Sequence, residues 1–449
     1  MSDVLYNNPL ENYPVTPEIR QALEKAKVFG WWDFPLEDVG VEESEFTDVD
    51  EAYWFYTCGN PVLKTKREVS EAIFKNDASA LGLPVGFKAE QTLTFAAAGD
   101  LIRANGLEHS KDILFESIDD VLFQKDVVLG NYESVVVEEQ VAKEYAVDGN
   151  SFIMCCGEAQ YKTLTEHKGM RFDILNVANN HSLDLGVEAL SHTQDLLERD
   201  GVVDIGAPRK AEEYGKAKIF SFNGIRLGLI SATYSLNGFP LPEGEPFRVH
   251  TSKLMSRYVP TDLSLLRAQI QDCKEKGCDF IIASIHWGVE FELFPRLRQV
   301  EAAHSLIEEG VDLIVGQHPH VIQPVEYYRT KRDPNRVAVI AYSLGSLTWG
   351  WYTAPHLILS LLINLDLTKG RLGAETLTYI ESATVIPVFR NIISDGERRL
   401  MRIEKLSDHV SPANDGMSSI GKMKEYLDLV VGAGVPAISP DTSAIDVVP

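Results

Sequence analysis

The sequence predicts an α/β fold, and three observations carry that reading. Short apolar runs of strand length alternate with longer stretches of helical period. The runs end in small or polar residues, as strands do where they enter loops. Hydrophobic residues make up 45% and charged residues 24%, the balance of a globular chain with enough apolar side chains for a core. At 449 residues the chain exceeds one ordinary core, so one large domain with additions is expected. We expect an aromatic-rich extension packed on the core at 1–91, the main domain at 92–390, and a C-terminal helical segment and tail at 391–449.

The elements follow in order. Thr16 is a suitable N-cap and Pro17 a suitable first residue for a helix running to Val28. Trp31, Trp32, Phe34, Tyr53, Trp54, Phe55 and Tyr56 then argue against a disordered leader. Strand-like runs cover 92–98, 126–129, 172–178, 280–285, 313–315 and 337–342. Amphipathic helical patterns cover 186–198 and 297–309. The residues from Gly432 onward are rich in Gly, Ala, Ser and Pro, which predicts a loosely held tail.

Composition excludes several classes of function. The formal net charge is −24, a field that repels phosphate backbones, so no nucleic-acid binding is expected. Five cysteines, an odd and low count, do not make a disulfide framework. Cys273 and Cys278 lack the second pair that a zinc ribbon needs. No apolar run approaches 18 residues and no basic-then-apolar leader opens the chain. A cytoplasmic protein without a membrane span is the expectation.

Polar residues gather where the strands end. Asp100, Glu133, Asn180, His286, His318 and His320 all follow apolar runs, and α/β sites form beyond the carboxyl ends of strands. Two carboxylates, one amide oxygen and three imidazoles suit zinc, manganese or iron, one or two ions per chain. In His318-Pro319-His320 the imidazoles are two residues apart, which on a strand-like segment gives them one face. Asn180 can offer its carbonyl oxygen to a metal, leaving the adjacent His181 for proton transfer with Asp184 to orient it. Asn179 and Asp184 equally fit a turn and helix start. Arg296 and Arg298 suit substrate carboxylates or phosphates, or simply an exposed basic helix start.

Taken together, the motifs resemble the CapA-type poly-γ-glutamate capsule-synthesis family. They are Ala98-Gly99-Asp100, Gly130-Asn131-Tyr132-Glu133 and Asn176-Val177-Ala178-Asn179-Asn180-His181 with Asp184 and Gly186. Tyr234-Ser235-Leu236-Asn237-Gly238 and His286-Trp287-Gly288 with Glu290 follow. Gly316-Gln317-His318-Pro319-His320-Val321 with Gln323-Pro324, and Tyr342-Ser343-Leu344-Gly345, complete the series. The resemblance implies a four-layer α/β/β/α sandwich of the calcineurin-like metallophosphoesterase type. It also implies a metal-dependent hydrolase acting on a phosphoester or a γ-glutamyl or peptide amide bond through a metal-activated water. The alternative is a non-catalytic component of capsule biosynthesis that binds an anionic polymer or a synthase partner. An anionic small molecule or a poly-γ-glutamate-like polymer is the expected partner, and the oligomeric state is left open. Three departures stand out: Ile102 where such phosphoesterases place a histidine, Tyr132 for the family's leucine, and Ser346 for its asparagine.

Overall fold

The computed structural model describes residues 15–66, 69, 74, 80–147, 152–351, 354–396, 398–410 and 418–432. All but the first residue of the expected C-terminal tail lies outside them.

Two sheets form the centre. The larger has eight strands and is built around β1 (Lys88–Leu101), β2 (Val127–Tyr132), β3 (Ile174–Asn176) and β4 (Val203–Ile205), which run parallel. The smaller has six and is built around β5 (Lys218–Phe222), β6 (Ile225–Thr233), β7 (Phe280–His286), β8 (Leu313–Gln317), β9 (Val325–Arg329) and β10 (Val337–Ala341). In it β6, β7, β8 and β10 are parallel, and antiparallel β5 and β9 close the edges. The larger sheet is completed by β11 (Ser346–Thr348), β12 (Leu359–Leu372), β13 (Glu375–Asp395) and β14 (Arg398–Lys405).

Strand alternation sorts the side chains into layers. Phe95 and Ala97 of β1, Val127 and Leu129 of β2, and Ile174 of β3 join the core between the sheets. Ala96, Ala98, Val128 and Leu175 face the opposite way, into a second core. There they meet Tyr161 and Leu164 of α1 (Glu158–Thr165) and Leu190 and Leu197 of α2 (Gly186–Arg199). The outer face of the smaller sheet is covered by Leu266 and Ile270 of α3 (Ser264–Glu275) and Ala303, Leu306 and Ile307 of α4 (Leu297–Glu309). Helix, sheet, sheet, helix are the expected four layers.

The N-terminal helix runs Pro17–Phe29, with Thr16 Oγ1 accepting from Ile19 N at 3.2 Å. A second helix, Asp48–Gly59, carries a capping box between Thr47 and Asp50. Both pack on the core: Trp32, Tyr53 and Phe55 are buried, whereas Trp31 and Phe34 stay exposed. Tyr53 OH donates to Glu292 at 2.7 Å, and His356 Nε2 meets Thr57 O at 3.0 Å.

Two boundaries differ from expectation. Residue 92 falls inside β1 and residue 390 inside β13, so neither is a domain edge. The segment after 390, expected to be helical, first supplies β14 to the larger sheet and only then the helix Ser419–Val430. Charged residues dominate β14, where Arg398, Arg399 and Arg402 hide the alternation that Met401 and Ile403 provide. No helix among the described residues is long and apolar enough to cross a membrane, and the five cysteines are free thiols.

The sandwich closes tightly at β1. A methyl group on Gly99 would lie 1.8 Å from Gly345 O, the carbonyl that accepts from Asp100 N at 3.1 Å. Gly99→Ala must force this contact apart, at about 1–3 kcal/mol. A lowered urea midpoint with an unchanged slope is the expected result. Gly59→Ala, with open space around the position, is the control and leaves the midpoint nearly unchanged.

Candidate metal centre

The two sheets end at one level. Asp100, Asn131 and Asn176 stand in register on β1, β2 and β3. Thr233, His286 and Gln317 do the same on β6, β7 and β8. Asn176 Nδ2 donates to Gln317 Oε1 at 3.3 Å, and Ser231 Oγ donates to Asn176 Oδ1 at 2.5 Å, joining the two rows. Asn131 is the hub. Its Nδ2 faces Asp100 Oδ1 at 2.8 Å, Glu133 Oε2 at 3.3 Å and His286 Nδ1 at 3.4 Å, while its Oδ1 accepts from Asn176 at 3.0 Å.

Turns beyond the strands carry the other groups. Glu133 follows β2, its N–H bonded to Leu101 O at 3.0 Å. Asn180 follows β3, its Oδ1 2.9 Å from His286 Nε2. His318 and His320 follow β8 with φ of 97° and 58°, so this segment is a left-handed turn rather than the strand-like run the spacing suggested. The rings still converge, with centroids 5.8 Å apart.

Three overlapping sets of ligand atoms lie within 4.8 Å of one another: Glu133, His286 and His318; Asp100, Glu133 and His320; Glu290, His318 and His320. Glu133 Oε1 and His318 Nδ1 are buried without a hydrogen-bond partner. Leaving such atoms unmet costs about 1–3 kcal/mol each, more for a charge, unless something else binds them. Carboxylate and imidazole donors around two orphaned atoms fit a first-row divalent cation. Ile102 supplies no donor: it is buried in the inter-sheet core.

Electrostatics points the same way. Burial pushes the Glu133 carboxyl well above its usual range, and neighbouring Asp100 adds to this. Burial drives His286 well below the ordinary imidazole value and His318 down to about 4. Both are therefore neutral, the form that ligates metals. Burial opposes a charge on His320, but Glu133, Asp100 and Glu290 outweigh it and raise that imidazole to about 10. Burial likewise opposes a charge on Glu290, yet the hydrogen bond with His320 and the adjoining imidazoles bring its carboxyl down to about 2.

His181 stands beside this cluster. Its Nδ1 lies 2.7 Å from Asp184 Oδ2, which also accepts from Met154 N at 2.6 Å. Its Nε2 lies 3.9 Å from Glu133 Oε1. A cavity of about 410 Å³ opens onto His181, Asn180, His318 and His320. Arg296 and Arg298 do not line it. Arg296 is buried, paired with Glu292 at 2.6 Å from Nε and donating to Leu36 O at 2.7 Å. Arg298 donates to Ser256 O. The substrate-holding role expected of these arginines is not met in this cavity, because internal partners already hold both.

Other groups at the centre had no role assigned from sequence. Glu290, between His320 and the Trp54 indole N–H, is one. Asn237 accepts from Asn180 at 3.0 Å, and the Tyr234 ring lies 4.5 Å from that of His318. Ser346 Oγ lies 2.9 Å from His320 Nδ1. All but Trp54 stand in or beside the recognised motifs, which was the available signal. Trp54 carried none.

Metal content tests the centre. Glu133→Gln should purify with its divalent metal largely lost. Asn131→Ala, which removes only the hub behind the donors, should weaken metal affinity about 10–100-fold in a chelator competition. Full metal retention in Glu133→Gln would mean that the ion sits elsewhere.

Residues 94–349, more than half of the chain, match the family described as bacterial capsule synthesis protein PGA_cap. The chain is 27% identical over 311 residues to the PGA biosynthesis protein CapA of Bacillus subtilis (strain 168), covering 67% of this chain and 75% of that protein. It is 25% identical over 276 residues to the capsule biosynthesis protein CapA of Bacillus anthracis, covering 60% of this chain and 63% of that relative, under two thirds of its length. Among solved structures, the calcineurin-like phosphoesterase YfkN from Bacillus subtilis aligns with a TM-score of 0.39 at 14% identity, over 75% of this chain and 96% of that one. With its motifs in order along the matched segment, the chain belongs to the bacterial capsule synthesis protein PGA_cap family.

Proposed function

We propose that this chain is a metal-dependent hydrolase that cleaves a phosphoester, or a γ-glutamyl or peptide amide bond, with a metal-activated water. The observation that carries the reading is the His181–Asp184 pair set against the ligand cluster. A metal kept only for structure has no use for a positioned proton donor. Asp100, Glu133, Asn180, His286, His318 and His320, with Glu290 beside them, would hold one or two ions of zinc, manganese or iron. A bound divalent cation supplies Lewis-acid chemistry, acidifying water and offsetting negative charge as the bond breaks.

The remaining steps belong to side chains. Asp184 accepts at His181 Nδ1, so the second proton of the imidazolium sits on Nε2, the nitrogen turned toward Glu133. From there it passes to the departing oxygen or nitrogen. Asn179 fixes the turn: its Oδ1 accepts from His181 N at 3.1 Å and its Nδ2 donates to Tyr132 O at 2.9 Å. Asn237, bonded to Asn180, steadies that amide.

A second reading, a non-catalytic capsule-biosynthesis component that binds an anionic polymer or a synthase partner, draws on Ile102, which leaves one phosphoesterase ligand out. Turnover separates the two. With zinc, manganese or iron restored, the chain should hydrolyse bis(4-nitrophenyl) phosphate or γ-glutamyl-4-nitroanilide. His181→Ala should lower kcat about 10²–10⁴-fold while metal content stays near wild type. His318→Ala should lose metal and activity together. If His181→Ala loses metal in step with activity, the acid role is wrong. A metal-loaded wild type inert toward both substrates supports the non-catalytic reading.

A further inference from the structure

The cavity over the candidate metal centre has walls of an unexpected kind. Trp54, Phe55, Phe152, Tyr234, Trp349 and Trp351 line it, and no Lys or Arg does so among the described residues. Trp349 and Trp351 stack with centroids 4.2 Å apart, and the Trp349 ring lies 4.5 Å from that of His320. Trp54 meets Trp351 edge-on at 5.5 Å. The aromatic surface thus begins at the ligand cluster itself. Charged wall residues outside that cluster are acidic: Glu43 is exposed at the mouth, Glu51 half-buried, and Asp50 is paired with Arg257 at 2.7 Å.

Cations exist nearby but are engaged. A second hollow shares Val39, Val41 and Val289 with the first and is lined by Lys66, Arg257, Arg296 and Arg298. Lys66 pairs with Glu37, Arg257 with Asp50 and Arg296 with Glu292. A polyanion entering the aromatic cavity would shed its water and meet carboxylates, with no fixed positive charge beyond the centre to replace what it lost. An apolar ring would instead displace water from aromatic surface, which is favourable.

Resting on the hydrolase reading above, we infer that the substrate carries its scissile group on an apolar, aromatic body and is not a polyanion. Residues 39–55 contribute much of the wall and lie outside the matched segment 94–349, as does Trp351. Of the aromatic wall, Trp54, Phe55 and Trp351 thus come from parts that the family match does not include, and Phe152, Tyr234 and Trp349 from within it.

Calorimetry on the metal-loaded protein tests this through binding, independently of turnover. The probes are 1-naphthylphosphonate, methylphosphonate and tetra-γ-glutamate. The naphthyl compound should bind about tenfold or more tightly than the methyl compound. Tetra-γ-glutamate should bind no better than methylphosphonate. Phe46→Ala and Phe152→Ala, on the partly exposed rim and away from the ligands, should shrink the naphthyl preference several-fold. Glu51→Lys should raise affinity for tetra-γ-glutamate. Equal binding of the two phosphonates, a clear preference for tetra-γ-glutamate, or no binding of any probe overturns the inference. Naphthyl preference without hydrolysis of any ester leaves the aromatic, non-polyanionic ligand standing and sinks the hydrolase reading together with the scissile group. Hydrolysis without naphthyl preference does the reverse.

Discussion

Asn176 sits where the two sheets meet, and the hydrogen bond it donates to Gln317 sets the level at which both must end. Its side-chain oxygen accepts a hydrogen bond from the Ser231 hydroxyl, and its amide also reaches Asn131. Asn131 in turn faces Asp100, Glu133 and His286. From Ser231 through Asn176 to Asn131 each buried polar side chain is satisfied by the next, the condition under which such a chain strengthens a core instead of weakening it. Slipping one strand by a residue would turn its polar end into the apolar interior and leave several partners unmet. Register, ligand convergence and core packing therefore stand or fall together.

The polar ends of the strands were readable because each is announced by its own neighbours. An apolar run followed by Gly-Asp, Asn-Asn-His or His-Trp-Gly has only one sensible direction, out of the core and into a loop. Seven motifs in order add a family, and with it the layers. What could not be read is contact at long range. Trp54 and Glu290 are 236 residues apart, and neither sequence context mentions the other. Arg296 beside Arg298 looks like a basic patch in one dimension. In three, Glu292 of the preceding loop pairs with it and the carbonyls of Leu36 and Glu37 are within reach. Its charge is turned inward, and the N-terminal region is what it fastens.

That region changes what the core can do. Without the helix Asp48–Gly59 and the segment before it, the strand ends would open as a broad polar cleft. With them, the Trp54 indole is bonded to Glu290, and its ring closes against Trp351 and Phe291. The strand termini carry the candidate ligands, while peripheral segments line the cavity above them.

The left-handed turn at His318 and His320 has a further consequence. Neither residue is glycine, and each such φ costs on the order of 1–2 kcal/mol in backbone energy. Packing holds the turn regardless: Phe291 N donates to Pro319 O at 2.8 Å, and His318 N faces Asp100 at 3.4 Å. Imidazoles carried on such a frame have little freedom to follow an ion that prefers longer or shorter bonds. Selectivity among cations would then come from the stiffness of the frame as much as from the donors it presents, with a poorly sized ion meeting resistance from the whole fold.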